Sequence, residues 1–206
     1  PFYIAASSIE NLKVWTELNT DSTFCNDTAA ITVQVNNTFA SLPYAEDFES
    51  GIFPSSNFSI TNFDNNRTWE SINVTGANGQ NTNAAYVNNY AYNSRGEKDW
   101  INIPAIDLTN FNTNNTVSLL FDVAYRTFGT SYFDSLIVEV SSDCGVTYTP
   151  MYIKSGSLLS TGGNSNSSWA PSAANDWRSE QIDLSGFIGG TVFVRFINSC
   201  DYGQNL

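Results

Sequence analysis

Residues 117–125 read VSLLFDVAY and residues 191–198 read TVFVRFIN, and these two segments decide the fold class. Both alternate at the two-residue period of a β-strand, so every second side chain lies on the same face. The shared apolar face consists of Leu119, Phe121, Val123 and Tyr125 in the first segment, and of Val192, Val194 and Phe196 in the second. Since these are the most apolar segments of the chain, we expect them to form central strands.

Shorter segments with strand character fill most of the remaining chain, separated by turn residues. They span residues 30–35, 44–49, 58–61, 68–74, 84–90, 99–104, 135–141, 151–154 and 178–184. The nearest candidate for a helix is residues 10–18, but Val14 and Trp15 in this segment suit a strand equally well. About ten strands without a convincing helix predict an all-β fold, an antiparallel β-sandwich of jelly-roll type.

The composition narrows the class of protein. The chain has 206 residues and a net charge of −12, with 8 Lys plus Arg. Too few cations are present to neutralise phosphates, which argues against nucleic acid and against an anionic membrane surface. No apolar run approaches the roughly 18 residues that a membrane span needs. An acidic surface rich in Asn, Ser and Thr suits a secreted or cell-surface protein.

The first 38 residues differ from the rest. Residues 1–38 contain a turn and one closing strand, too little for a complete sandwich, and residues 37–42 resemble a linker. We therefore expect 1–38 to be the end of a preceding sandwich domain and 42–206 to be a sandwich of its own. A long loop at about 155–177 interrupts the second domain, and Trp169 and Trp177 are candidates to pin its end.

Catalysis by common side-chain arrangements is excluded because the chain has no histidine. Triads and histidine-based zinc sites both require that residue. Asp47 and Glu49 are two apart, so on the predicted strand 44–49 both side chains point the same way. This suits two ligands of one cation better than an acid and a base on opposite sides of a sugar. We predict no catalytic residue.

Oxygen-bearing side chains offer a calcium site instead. Calcium binds six to eight oxygens from carboxylates, amides and carbonyl groups. The candidate ligands are Asp47, Glu49, Asp64 and Asp122. The alternatives are a solvated strand edge or carboxylates paired with arginine, with Arg126 and Arg195 as candidate partners of Asp122.

Two further sets of residues predict a binding surface and a disulfide. Residues 86–96, YVNNYAYNSRG, are aromatic and amide-rich, which favours Tyr90 and Tyr92 as glycan contacts, and Trp169 is a third candidate. The alternative for such aromatics is core packing. Among three cysteines, Cys144 and Cys200 are the favoured pair because both fall in turns beside late strands, although three separate thiols remain an alternative.

Six blocks follow one another in the order and spacing of a known family. They are LPYAEDFESGIFP, DWINIPAIDL, SLLFDVAYR, DSLIVEVSSDCGVTYTPMYIKSG, DWRSEQIDLSGFIGG and VFVRFINSCDYGQNL. Residues 42–206 thereby resemble the MAM-like, choice-of-anchor or cleaved-adhesin jelly-roll modules of secreted Bacteroidota proteins. Residues 1–38 resemble, over a shorter match, the tail of a CARDB-type, immunoglobulin-like domain, in which a D…NDT turn precedes the last strand.

The resemblance carries several expectations. It implies type IX secretion and a structural calcium near the DFE segment, with Asp47 and Glu49 as the best-supported ligands and Asp64 and Asp122 less supported. It implies O-glycosylation in Asp-Ser/Thr-x sequences, at Ser22, Thr28 and Ser135. Family members continue beyond this point of the sequence with a final strand, so we expect the last strand of the sandwich to be missing, either because the sequence is truncated or because another chain supplies it.

These observations predict a non-catalytic module of a large exported bacterial protein, serving adhesion, spacing or substrate targeting. Its partners would be other domains of the same chain and a glycan or cell-surface protein. The alternatives are a carbohydrate-binding module attached to a secreted hydrolase, and an accessory domain of a secreted metalloprotease whose catalytic part lies elsewhere.

Overall fold

The computed structural model of the chain describes residues 8–15, 28–35 and 39–206. The described strands are, in chain order, β1 Ser8–Trp15, β2 Thr28–Val35, β3 Ser59–Asn62, β4 Glu70–Thr75, β5 Asn81–Tyr86, β6 Lys98–Asn102, β7 Ile106–Asp107, β8 Ser118–Val123, β9 Ser135–Ser141, β10 Thr149–Ser155, β11 Arg178–Asp183 and β12 Thr191–Ser199. The helices are short: α1, Gly156–Leu159, and 3-10 turns at Asn89–Ala91, Ala174–Asp176 and Ser185–Phe187.

The chain forms two compact units, Pro1–Phe39 and Ala40–Leu206. In the first unit, β1 and β2 form an antiparallel pair in which Ser8 lies opposite Val35 and Trp15 lies opposite Thr28. The segment that the sequence left open between helix and strand is therefore a strand through Trp15. The second unit contains everything described below.

The larger unit has an all-β, antiparallel sandwich architecture, which confirms the predicted fold class. Its main sheet has the order β10–β9–β12–β6–β3, with β7 paired to the start of β12. The opposing layer consists of two antiparallel pairs, β11–β8 and β4–β5. Of the two segments that were predicted to be central strands, β12 is central, since it pairs with β9 on one side and β6 on the other. The prediction is wrong for β8, which pairs with β11 alone in the described part of the chain.

The core lies between the two layers. One row of directly opposed residues crosses the inner face of the main sheet, namely Ile60, Ile101, Phe196, Val138 and Tyr152. From the opposing layer, the ring of Phe121 packs edge-on against Tyr152 and Phe196, with centroids 5.4 and 5.2 Å away. Burying each such side chain stabilises the fold by roughly 1.5–3 kcal/mol, so this row is one substantial part of the core.

The next row of the same inner face is polar. Asn62, Asp99, Asn198 and Leu136 lie directly opposite one another across β3, β6, β12 and β9. Asn198 and the buried Asn89 exchange two side-chain hydrogen bonds of 2.7 and 3.0 Å, which satisfies both amides. The Asp99 carboxylate lies beside this pair and takes no part in it.

Ion pairs join the layers and stiffen the outer face. Glu180 of β11 accepts bonds from Lys154 at 2.7 Å and from Arg178 at 2.8 Å. Burial raises the pKa of the Glu180 carboxyl, but these two cations outweigh it and hold the pKa below its ordinary value. On the outer face, the Arg195 guanidinium lies 3.9 and 3.7 Å from the ring centroids of Trp100 and Tyr148.

A buried carboxylate holds the last residues of the chain in place. Asp134 is fully buried and accepts backbone N–H bonds from Asp201, Gly203 and Gln204 at 2.8, 3.1 and 2.7 Å. The Tyr125 hydroxyl donates a fourth bond of 3.1 Å. Burial raises the pKa of Asp134 although all of these donors oppose it. The position directly before β9 thus becomes an anchor for residues 201–204.

The predicted strand 44–49 is wrong. Residues 44–49 have no strand assignment, and Phe48 adopts a left-handed backbone with φ 59°. Two side chains bend the backbone here, because Glu46 accepts the Phe48 N–H at 2.7 Å and Asp47 accepts the Glu49 N–H at 3.0 Å. Such local bonds replace a sheet ladder with a turn.

The predicted long loop is partly ordered by its tryptophans. It contains α1 and a 3-10 turn, and the Trp177 indole donates a 2.7 Å bond to the Thr75 carbonyl oxygen of β4. Trp169 stacks on Arg126, whose guanidinium carbon lies 4.5 Å from the ring centroid. Both aromatic residues therefore tie the end of the loop to the sandwich.

Candidate functional site

The DFE segment is held by protein donors. Glu49 accepts bonds from the Thr82 hydroxyl at 2.6 Å and from the Asn83 N–H at 2.7 Å with one oxygen, and from the Asn83 amide at 3.0 Å with the other. The hydrogen bonds lower the pKa of the Glu49 carboxyl, led by that from Thr82. Glu49 and Asp47 are both exposed. Glu49 fastens this segment to β5, whereas Asp47 accepts the Glu49 N–H within the same turn. Their role as calcium ligands stays a prediction.

The remaining predicted ligands lie elsewhere. Asp122 is exposed on the outer face of β8, where it accepts a bond from the Ser179 hydroxyl. Asp64 accepts the Tyr92 hydroxyl at 2.9 Å. The candidate arginines have other partners, since Arg126 pairs with Asp176 and Arg195 with Glu139. No three acidic, histidine or cysteine side chains gather into a metal-holding group in the described part of the chain.

Asp99 is a carboxylate that the sequence reasoning missed. It is 1% exposed, and neither of its side-chain oxygens has a hydrogen-bond partner. Burial raises the pKa of this carboxyl to about 6, while the Thr68 hydroxyl opposes the rise and Asp64 adds to it. The sequence could have predicted this burial, because Asp99 lies two residues before Ile101 in β6 and therefore points to the same inner face.

Aromatic side chains from three loops meet in what we call the aromatic patch, defined by Tyr90, Phe128, Tyr132 and Tyr202. Phe128 lies at its centre, with ring centroids 5.7 Å from Tyr90, 5.9 Å from Tyr132 and 6.3 Å from Tyr202. Tyr132 and Tyr202 are also in contact, at 5.6 Å and nearly perpendicular. All four rings are partly exposed, so the patch is open to a ligand.

Charged groups border the aromatic patch. The Arg95 guanidinium lies over the Tyr132 ring at 5.4 Å and pairs with Asp201 at 2.7 Å. Asp201 also accepts the Phe133 N–H at 3.1 Å, and its own N–H is held by Asp134. The border therefore consists of one cation and one anion that are fixed to the loops below them.

The three predicted glycan contacts have different positions. Tyr90 belongs to the aromatic patch. Tyr92 is 1% exposed and its hydroxyl is bound to Asp64, so the prediction that it contacts a glycan is wrong. Its burial follows from the 3-10 turn Asn89–Ala91, which directs the next side chain inward. Trp169 is partly exposed and stacks on Arg126, and its role as a ligand contact stays a prediction.

The predicted disulfide between Cys144 and Cys200 is absent, and both are thiols. Cys200 follows Ser199, which lies opposite the first residue of β9, whereas Cys144 lies three residues beyond the last residue of β9. The seven-residue strand between them is about 20 Å long, and a disulfide requires Cα atoms within about 7 Å. Burial raises the pKa of the Cys200 thiol to about 11. Cys25 lies outside the described residues.

The predicted glycosylation sites fall in three settings. Ser22 lies outside the described residues. Thr28 is exposed at the first position of β2. Ser135 begins β9 between Ser155 and Ser199, and the preceding Asp134 is fully buried, so an enzyme would have to open this strand to reach the sequence.

A groove of about 720 Å³ lies between the layers. Its walls include Ala84 of β5, Leu119 of β8 and Phe196 of the main sheet. At its end, Leu206 and Val87 exchange backbone bonds of 2.8 and 3.1 Å. β5 and β8 each have one strand partner in the described part of the chain, and residues of both strands line the groove. The missing last strand stays a prediction.

Comparison with known proteins gives structural similarity only. No protein-family model matches the chain, and no curated protein does. The K3 cleaved adhesin domain of Lys-gingipain from Porphyromonas gingivalis is 17% identical, with a TM-score of 0.48, over 77% of this chain and 91% of that domain. The K2 cleaved adhesin domain of Lys-gingipain is 11% identical, with a TM-score of 0.40, over 77% and 94%.

A third solved structure comes from a study of carbohydrate-binding modules of the β-sandwich superfamily. It is 12% identical with a TM-score of 0.42, and the match covers 97% of this chain and 74% of that one. The fold of the present chain is established by its own strand pairing, and these similarities assign no function to it. None of the described helices is long and apolar enough to cross a membrane.

Proposed function

We propose that this chain is a non-catalytic binding module of an exported protein and that the aromatic patch binds a glycan. The observation that carries this proposal is the convergence of four partly exposed rings from separate loops, bordered by Arg95 and Asp201. Exposed tyrosines provide an apolar ring with a polar hydroxyl, which matches the mixed surface of a sugar.

The chemistry of the aromatic patch favours a glycan over an apolar peptide. The C–H face of a sugar ring packs on an aromatic ring, while tyrosine hydroxyls, the Arg95 guanidinium and the Asp201 carboxylate bind its hydroxyl groups. Arg95 is paired with Asp201, so the border of the patch has no net charge, and the chain as a whole carries a net charge of −12. A neutral sugar would therefore be preferred to an acidic one.

A glycan array followed by titration calorimetry tests the proposal. We expect neutral glycans to bind, and Tyr132→Ala to weaken binding at least tenfold, corresponding to about 1.4 kcal/mol. Phe63→Ala is the matched control, because Phe63 is also aromatic and is 63% exposed outside the patch. An array without hits, or equal losses for the two variants, would contradict the assignment.

We also propose that the protein is exported and that this module is part of a longer chain. The acidic, Asn-rich surface and the family resemblance support a secreted or cell-surface location in a longer protein, with neighbouring domains of the same chain as partners. Adhesion is the role that best fits a module whose proposed binding site is a partly exposed aromatic patch. Attachment to a secreted hydrolase or metalloprotease would use the same patch to target a substrate.

A further inference from the structure

Residues 164–168, NSNSS, form what we call the amide loop, and a buried glutamine holds this loop in place. Gln204 is fully buried, and its amide nitrogen donates to the carbonyl oxygens of Ser165 and Ser167 at 3.2 and 2.6 Å. Asn and Ser favour turns and bury little apolar surface, so a loop of this composition depends on such bonds for its order. The amide loop is therefore a fixed part of the protein surface.

The start of the amide loop lies beside the centre of the aromatic patch. Phe128 is the central ring of the patch, and both of its neighbours in the sequence are bonded to the loop. The Gly129 N–H donates to the side-chain oxygen of Asn164 at 2.6 Å. The Ser165 N–H donates to the Thr127 carbonyl oxygen at 2.9 Å. These two bonds bring the first residues of the loop next to Phe128.

The end of the amide loop is tied to a second residue of the patch, Tyr90, through the side chain of Asn205. The Asn205 amide oxygen accepts the Tyr90 N–H at 3.3 Å. Its amide nitrogen donates to the Ser168 hydroxyl at 3.1 Å and to the Trp169 carbonyl oxygen at 2.8 Å. Asn205 is 4% exposed, so water has little access to these bonds. The loop is thus joined to the segments of two patch residues, Phe128 at its start and Tyr90 at its end.

The exposed side chains of the amide loop have the chemistry that binds sugar hydroxyl groups. Asn166 and Ser167 are both exposed. An amide provides two donors and an acceptor, and a serine hydroxyl provides one donor and two acceptor lone pairs. Because the backbone below these side chains is already held, binding a ligand orders little additional structure, which favours affinity. Neither side chain is charged, which matches the neutral ligand proposed for the aromatic patch.

We propose that the amide loop is a second subsite beside the aromatic patch and that the ligand is a neutral oligosaccharide chain, not a single sugar. This inference rests on the proposed function of the patch. The ring centroids of Tyr90 and Tyr202 lie 5.7 and 6.3 Å from that of Phe128, and the five-residue loop can extend the surface by up to about 14 Å. One sugar ring stacks on one aromatic ring and contacts only part of this surface, so affinity should rise with chain length.

Titration calorimetry with oligosaccharide ladders tests the second subsite. The probes are β-1,4-linked chains of glucose, of mannose and of N-acetylglucosamine, each from one to six units long. In at least one ladder we expect the affinity to rise about tenfold or more from the disaccharide to the hexasaccharide, because a second contact on the same molecule forms at high effective concentration. The double variant Asn166→Ala/Ser167→Ala should lose most of this rise and bind the disaccharide as the parent chain does. Tyr132→Ala should weaken binding at every length.

Asn114→Ala is the matched control, because Asn114 is also an exposed amide but precedes β8, whereas Phe128 follows the other end of that strand. This variant should bind every length as the parent chain does. Asn166 and Ser167 are exposed, so the double variant should keep the parent's midpoint of urea unfolding. Equal affinities for all lengths, or an unchanged rise in the double variant, would overturn the second subsite and leave the patch assignment intact. No binding at any length would contradict both.

Discussion

The anchor at Asp134 gives a sharp prediction about stability. Asp134→Ala removes the acceptor of three backbone N–H groups and of the Tyr125 hydroxyl. Each buried donor that is left without a partner costs about 1–3 kcal/mol. The variant no longer has to bury the charge of Asp134, which offsets part of this cost. We therefore expect the free energy of unfolding to fall by about 4 kcal/mol. Tyr125→Phe removes a single bond and should cost about 1 kcal/mol.

A double-mutant cycle with Gly203 separates this anchor from a general packing loss. A Cβ atom at Gly203 would collide with the Asp134 carboxylate. Gly203→Ala should therefore cost about 2 kcal/mol in the parent chain, through overpacking of a buried site. In the Asp134→Ala background the same substitution should cost almost nothing, because the colliding group is gone.

Urea unfolding followed by tryptophan fluorescence measures all four proteins of the cycle. The expected coupling between positions 134 and 203 is about 2 kcal/mol, well above the roughly 0.5 kcal/mol within which independent sites add. Additive costs for the two substitutions, or a loss below about 1 kcal/mol for Asp134→Ala, would refute the reasoning that Asp134 holds residues 201–204.

Three further predictions concern thiols, acid stability and the outer face. In native protein Cys144 is exposed and should react with a thiol reagent at once. Cys200 is buried and its thiol has a pKa of about 11, so it should react only on unfolding. Equal reaction rates of the two thiols would contradict the burial of Cys200. The Glu180 carboxyl has a lowered folded-state pKa, so its stabilisation is present above about pH 4.5 and is lost as pH falls; Lys154→Met should move the acid-unfolding midpoint to higher pH. Arg195→Lys should cost about 1–2 kcal/mol in urea unfolding, since an ammonium cannot stack between two rings as guanidinium does.

Most strands could be predicted because alternation is local. The segment 135–141 was predicted with the bounds that β9 has, and β11 and β12 differ from their predictions by one residue each. The prediction of a strand at 44–49 failed because burial of the side chains alternates there as it would on a strand, although the backbone is not extended. Leu42, Tyr44, Glu46 and Phe48 do turn inward, but side chains of the segment bind its own N–H groups.

The aromatic patch lay largely beyond sequence reasoning. Tyr90 was selected from a local aromatic and amide-rich stretch, but its neighbours Phe128, Tyr132 and Tyr202 come from two distant loops. Their convergence depends on Asp134, whose bonds to residues 201–204 place Tyr202. Contacts across about 70 residues leave no periodic trace, so such a patch requires the fold.

The two strand aspartates show where sequence reasoning had more information than it used. Asp122 was predicted to be a calcium ligand or the partner of an arginine, yet alternation with Phe121 and Val123 places it outward, on the same face as Leu120, which is 68% exposed. The same arithmetic applied to Asp99 places it inward, because Ile101 faces the core. Alternation therefore predicts opposite surroundings for two carboxylates in similar sequences. A charged residue on a strand needs a partner ion if its side chain points to the core face of the sheet. The hydrophobicity of its neighbours in the sequence does not decide this.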